Sequence, residues 1–297
     1  MRGRLWLGER LRIEALGAFL AARTPAGVPL GQSFGEPSTG RGLFGALAGL
    51  DLHPLVRLEL LGLGRFTDST PTNPARSTSL DRVHARSRVV TTSLRVYGAV
   101  RGWSYSAEAA LQAGRAELVS PAAGGVPILA YAGAARVARR LDELFLSPEP
   151  ELGVSYASGD ARGSRRYTQF DPLLPNPIAY GLLDAAAWSN SIAAHASITV
   201  HVHERVAIVP TYRYLAFAST SGDWIGGSLQ PISNVSSTAR SLGHELDLVA
   251  RWTPHRVFEA RAGGAFLLLA QGGKERLPGA SETVRPYAFV QLQLRLD

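Results

Sequence analysis

The stretch "PLVRLELLGLGRF" at residues 54–66 changes character at every step. Val56, Leu58, Leu60, Gly62, Gly64 and Phe66 fall on one face, and Arg57, Glu59, Leu61, Leu63 and Arg65 on the other. A period of two is the signature of a β-strand, and this split gives the strand one apolar side and one charged side. The pattern returns in "GWSYSAEAALQAG", where Trp103, Tyr105, Ala107, Ala109 and Leu111 oppose Ser104, Ser106, Glu108 and Gln112. It returns again in "GHELDLVARW", where Leu246, Leu248, Ala250 and Trp252 oppose Glu245, Asp247, Val249 and Arg251. Read this way, the chain holds about twelve strands, at 10–23, 42–53, 55–67, 85–100, 102–116, 127–139, 144–158, 190–201, 205–217, 241–252, 256–270 and 283–296.

The connections set the topology. Tight turns at 52–55, 101–103, 139–144, 201–205 and 253–256 alternate with longer loops near 24–41, 67–84, 117–126, 159–189, 218–240 and 271–282. An antiparallel meander with short turns at one rim and long loops at the other is the plan of an outer-membrane β-barrel. Strands longer than the usual five or six residues fit a wall that crosses a bilayer at a tilt. Aromatic residues near strand ends, Trp103, Tyr105, Tyr131, Tyr156, Trp252 and Phe258, match a belt at the lipid interface. The expected fold is therefore all-β, an antiparallel up-and-down transmembrane β-barrel. A soluble ligand-binding barrel of about eight strands, with its apolar face inward, is the rival.

The apolar runs 15–22 and 263–270 are far shorter than the ~18 residues of a membrane-spanning helix. With no cysteine in 297 residues there is no disulfide framework and no thiolate metal site. The formal charge is +7, and Lys274 is the only lysine, so the basic groups are nearly all guanidinium. Their planar forks suit carboxylate, sulfate or phosphate partners. At the amino terminus a basic start and a short apolar run suggest a secretory signal, but Glu9, Arg10, Arg12 and Glu14 interrupt its core. Residues 10–23 then read as a strand already, and residues 1–297 as one barrel domain lacking amino-terminal strands and a signal peptide.

Between two alternating segments lies "SGDARGSRRYTQFDPLLPNPIAYGLLD", residues 158–184, too polar and proline-rich for a strand yet carrying Phe170, Leu173, Leu174, Ile178 and Tyr180. Pro172, Pro175 and Pro177 stiffen the backbone without a hydrogen-bond ladder, and the apolar residues give it something to pack with. This loop and the following "WSN" carry a resemblance to the alginate export family through Ser158, Gly159, Asp160, Phe170, Pro172, Leu173, Pro175, Tyr180, Gly181, Asp184 and Asn190. "LGHELDLVARW" is similar to a later strand of the family and "RPYAFVQLQLRLD" to a closing strand. The resemblance implies an outer-membrane barrel of about 18 strands, of which this chain would be the carboxy-terminal part, its first strand running outward and an even number removed before it. It also implies a location in the bacterial outer membrane. The partners implied are outer-membrane lipid, an anionic polysaccharide or small anionic solute, and the barrel-assembly machinery, with no cofactor.

If the apolar face meets lipid, the opposite parity lines the lumen and presents Arg57, Arg95, Arg136, Arg213, Arg251 and Arg261, together with Arg12, Arg65 and Arg295. Rings of arginine guide anions. The same faces carry Glu14, Glu59, Glu108, Glu151, Glu245, Asp247 and Glu259, so a cross-strand Arg–Glu ladder is the competing reading. In the loop, Asp160, Arg165, Arg166, Phe170, Asp171, Tyr180 and Asp184 are the candidates for a constriction or lid, and a simple cover over the barrel mouth is the alternative. The expected function is passive, anion-favouring passage of an alginate-like polysaccharide or small solute, with a weakly selective general porin as the alternative. His201 and His203 sit on a turn without a third ligand, and no nucleophile elbow or zinc spacing occurs, so an outer-membrane hydrolase stands outside the main reading. The arginines are spread along strands and not gathered on a helix or patch, which argues against nucleic acid.

Overall fold

The computed structural model describes residues 2–21, 37–53, 55–67, 84–118, 125–161, 165–172, 181–227, 231–277 and 283–294. In chain order the strands are β1 (Arg2–Leu7), β2 (Leu11–Ala21), β3 (Pro37–His53), β4 (Val56–Thr67), β5 (His84–Val100), β6 (Trp103–Leu118), β7 (Gly125–Arg139), β8 (Glu149–Ala157), β9 (Ser191–His203), β10 (Val206–Ala216), β11 (Trp224–Ile225), β12 (Pro231–Ser233), β13 (Ser241–His255), β14 (Phe258–Leu269) and β15 (Val284–Leu294). One short helix, α1 (Gln271–Arg276), follows β14. Thirteen strands form one antiparallel sheet in the order β1 to β10, then β13, β14 and β15, while β11 and β12 make a small separate hairpin.

All twelve expected strands are present, and β1 precedes them. It pairs with β2 around a turn with Gly8 at φ 67°. The first strand in this structure therefore returns toward the short-turn rim, and the parity expectation of an outward first strand is corrected. A second correction concerns β8, which starts at Glu149 and not at residue 144. Pro148 cannot donate a ladder bond, and residues 140–148 form a longer turn closed by the Leu141 N–H donating to the Pro148 carbonyl at 3.0 Å.

The alternation predicts the sidedness. Leu60, Leu94, Leu111, Leu246 and Phe266 are all exposed on the outer face. So continuous an apolar surface would be an aggregation liability in water, whereas against hydrocarbon it is the required face of the wall. At the short-turn rim Trp103 lies beneath the Arg139 guanidinium at 5.0 Å, and Trp252 meets Phe258 edge-on at 6.1 Å.

The packed core lies inside the sheet near the long-loop rim. Ala110, Ala130, Ala132 and Ala157 present only methyl groups inward, and this space accepts Phe170 from the 158–190 connection, with Trp188 against it at 5.4 Å between ring centres. A second cluster joins Phe217 and Trp224 to Leu215, Leu242, Leu267 and Leu269, and a third packs Tyr167 on Val89, Ala116 and Ile128.

Candidate transport path

The long connection folds into the sheet. β8 stops at Ala157, and β7 continues past it, leaving ladder groups free along its upper part. The loop satisfies them. The Tyr131 N–H donates to Ser158 Oγ at 3.0 Å, the Leu129 N–H to the Tyr167 carbonyl at 3.0 Å, and the Tyr167 N–H to the Pro127 carbonyl at 2.9 Å. From there the chain turns inward. Asp171, nearly fully buried, has its peptide gripped at both ends by the Gln112 amide of β6: the Asp171 N–H donates to Gln112 Oε1 at 2.9 Å, and Gln112 Nε2 donates to the Asp171 carbonyl at 2.7 Å. The Asp171 carboxylate is paired with the Arg65 guanidinium of β4, equally buried. On the far side, the Leu183 N–H donates to Glu245 Oε1 of β13 at 3.3 Å. The described parts of the loop thus touch the inner wall at β4 and β6 and again at β13, and form a strap inside the sheet.

A second loop locks the strap. Asn190 Oδ1 accepts the Ser219 N–H at 2.7 Å, Gln169 Oε1 accepts the Asp223 N–H at 2.8 Å, and the Ser219 hydroxyl donates to the Asp160 carbonyl at 2.6 Å. The Asp160 side chain accepts the Thr168 N–H at 3.1 Å. Arg276 of α1 is buried and donates to the carbonyls of Thr220 at 2.7 Å and Ser219 at 3.2 Å, and to that of Gly222, with its guanidinium 4.1 Å over the Phe217 ring. Desolvation pushes its pKa below the ordinary arginine value. α1 is itself tethered by Glu275, which accepts bonds from the Thr238 N–H and hydroxyl and from Gln271; these hold its carboxyl down to about 2.

Below the strap, toward the short-turn rim, the inner wall lines an open cavity of about 500 Å³. Arg95, Arg136 and Arg213 line it together with Glu108, Glu149, Glu151 and His195. Strand register explains the assembly. One row across the sheet runs Arg12, Gly49, Glu59, Arg95, Glu108, and the absence of a side chain at Gly49 lets Arg12 pass over it to Glu59 at 3.0 Å. A neighbouring row runs Arg136, Gly153, His195, Arg213, Glu245, and here the His195 ring fills the space above Gly153 and meets Glu151 at 3.0 Å. The inner face carries cross-strand pairs of the kind the competing ladder reading describes: Arg95 stands 3.7 Å from Glu59, Arg136 4.0 Å from Glu151, and Arg213 3.2 Å from Asp247.

The predicted residues separate into groups. Arg95, Arg136 and Arg213 converge on the cavity; Arg57, paired with Asp51 at 3.2 Å near the short-turn rim, does not line it. Arg251 and Arg261 also lie outside it, directly opposite each other on β13 and β14, with Arg261 paired to Glu259. In the loop, Phe170 and Asp171 are interior, Asp160 and Asp184 are partly buried, and Arg165 and Arg166 are exposed. Tyr180 and Arg295 lie outside the described residues. Sequence reading missed His195, Arg276 and the partnership of Gln112 with Asp171. Gly153, a glycine on the inner face of a strand, was the one available signal, pointing to close approach by a neighbour.

Gly181 offers a test of the strap's seat. Its φ is 120°, and an added Cβ would stand 2.2 Å from Glu245 Oε1. Gly181→Ala should cost about 1–3 kcal/mol through strain and loss of the Leu183–Glu245 contact. Heat-modifiable gel mobility should show the variant unfolding at a lower temperature than the wild type.

A sheet with lipid-facing leucines, a charged inner wall and a strap held inside it belongs to the class of outer-membrane β-barrels. The model of the alginate export family matches residues 70–268, more than half of the chain, and the chain belongs to that family. Its location is the bacterial outer membrane, and its outer face contacts lipid. No curated protein matches the sequence. Among solved structures, the chain is similar to the ferric enterobactin receptor PfeA in complex with BCV-L6, with 13% identity and a TM-score of 0.49 over 91% of this chain and 41% of that one. A mutant of that receptor from Pseudomonas aeruginosa gives 14% identity and 0.48 over 93% and 41%. OmpT, an outer membrane protein of Vibrio cholerae, gives 10% and 0.36 over 96% and 97%. The chain thus spans about two fifths of the length of the receptor structures.

Proposed function

We propose that this chain forms wall and constriction of an outer-membrane channel that passes an anionic polysaccharide or a small anionic solute passively, with an anion preference and no covalent step. One observation carries the anion preference. Within the inner-wall pairs the guanidinium is the more exposed partner: 39% for Arg95 against 17% for Glu59, and 57% for Arg136 against 30% for Glu151. The carboxylates sink toward the sheet and the guanidinium tips reach into the path, so a ladder that is nearly neutral in formal charge presents a basic surface. Arginine stays charged at any physiological pH and can exchange one carboxylate for the next without proton transfer. The strap narrows the path, in keeping with its two contacts on the inner wall. Insertion would rely on the barrel-assembly machinery, and residues 1–297 would act as one barrel domain within a larger wall.

A weakly selective porin is the second reading, favoured by Glu108 and Glu149, which line the same cavity. Reversal potentials in planar bilayers separate the two. Replacing Arg95, Arg136 and Arg213 together by Gln should lower the anion-to-cation permeability ratio severalfold and turn the pore cation-favouring, because the carboxylates then dominate. An unchanged ratio assigns the weakly selective reading.

A further inference from the structure

The outer face of β5 and β6 carries a charge that an apolar wall does not explain. From the short-turn rim upward, the lipid-facing positions of both strands are uncharged until Arg88 and Arg115. These two stand directly opposite each other in the strand register, and both are exposed. Like charges so placed repel each other. Among the described residues no carboxylate is paired with either guanidinium, and the next pair toward the rim, Arg86 opposite Glu117, is neutral as a pair.

Their level is that of the outer headgroups. From Trp103 to Arg115 the strand advances about twelve residues, which at ~3.3 Å each and a tilt of ~40° is a climb of about 30 Å, just past an apolar band of ~25 Å. The Arg115 side chain leans further toward the long-loop rim, over Gly125 of β7, where an added Cβ would stand 3.3 Å from Arg115 Nε. Basic side chains near an interface reach for headgroups in this way. The flanks are open. On one side the Phe66 ring lies away over Gly42 of β3, and on the other Pro127, the register partner of Arg115, offers only its short ring. Val90, Leu111 and Leu129 are exposed beneath, toward the membrane centre.

We propose that Arg88 and Arg115 together grip one phosphate of a phosphorylated glycolipid of the outer leaflet, the lipid A of lipopolysaccharide. Register partners on antiparallel strands have Cα atoms about 5 Å apart, so two guanidinium forks converge on one phosphate and share its oxygens. The phosphate removes the like-charge repulsion, and the acyl chains continue down over Val90, Leu111 and Leu129. The bound lipid fixes the depth of this hairpin in the leaflet. The site rests on the membrane location alone and is independent of what the channel passes.

The test takes the full-length protein in detergent micelles and counts bound lipid by native mass spectrometry. Wild type should retain one bis-phosphorylated lipid A, and enzymatically dephosphorylated lipid A should bind about tenfold more weakly or worse, the scale of lost charge-assisted hydrogen bonds. Equal affinity for the two lipids overturns the proposal without recourse to any variant. Phosphatidylglycerol binding as tightly as lipid A, or inorganic phosphate displacing lipid A at equal concentration, overturns the glycolipid as the ligand. Arg88→Gln and Arg115→Gln should each weaken lipid A about tenfold. Exchanging both arginines for Lys keeps the charge and loses the forks, and should give an affinity between wild type and the double Gln variant. Wild-type affinity in the double Gln variant, with heat-modifiable mobility retained, overturns the site. Arg139→Gln, which removes an exposed arginine at the opposite rim, should change nothing, and an equal loss there reduces the effect to net charge and overturns the pair.

Discussion

Replacing residues 162–176 by a short Gly-Ser linker should raise single-channel conductance severalfold. The segment includes Tyr167, Gln169, Phe170 and Asp171, all of them packed inside the sheet, so its loss exchanges protein for water along the path. The wall should survive. Arg65 and Gln112, dry in the native structure, would face water in the shortened chain and recover their hydrogen bonds there, so no unpaired charge is stranded. Phe170 leaves behind a lining of alanine methyl groups, a small apolar patch in a wet lumen. Single-channel recording in planar bilayers is the measurement, and an unchanged conductance would assign the strap to a cover outside the path.

Arg276→Met should destabilise the loop assembly by about 3 kcal/mol or more, the cost of leaving buried acceptors without their charged donor. The guanidinium donates to the carbonyls of Ser219, Thr220 and Gly222 and to Ser237 Oγ; Ser219 and Thr220 keep second donors in Asn190 Nδ2 and the Ser237 N–H, whereas the Gly222 carbonyl loses its charged one. The thioether fills the volume over Phe217 and donates nothing. Arg276→Lys should rescue little, because a compact ammonium cannot reproduce the planar fork. Limited proteolysis should cut within 217–240 at a strongly increased rate, while far-ultraviolet circular dichroism stays that of an intact sheet. Since this loop locks the strap through Asn190, Gln169 and Asp160, the variant should also show noisier, larger currents.

The two expectations differ in how they could be reached from the amino-acid order. The strands, the side each residue faces and the two kinds of connection were legible because they are local: a period of two written into each segment states both structure and orientation. Leu60 outward and Glu59 inward follow from adjacency alone. β1 was missed because six residues carrying Arg2, Arg4 and two polar breaks beyond Leu7 resemble the start of an export signal as much as a strand. β8 was begun too early because Leu144 and Phe145 continue the alternation that Pro148 ends.

The site was legible in kind and not in arrangement. Inward parity put arginines and carboxylates on one face, and Arg95, Arg136 and Arg213 stand there beside Glu108, Glu149 and Glu151. Which arginine faces which carboxylate depends on register between strands tens of residues apart, as with Arg136, His195 and Arg213 in one row. No local signal encodes that register. The strap's destination is of the same kind: its prolines and aromatics marked an ordered loop, but only the folded wall offers the alanine-lined space for Phe170, the Gln112 amide for the Asp171 peptide and the Arg65 guanidinium for its carboxylate. Backbone alternation is a property of neighbours in the chain and can be read from the sequence by itself. The seat of the strap and the pairing of arginines with carboxylates across strands are properties of neighbours in space, and these the tertiary structure alone decided.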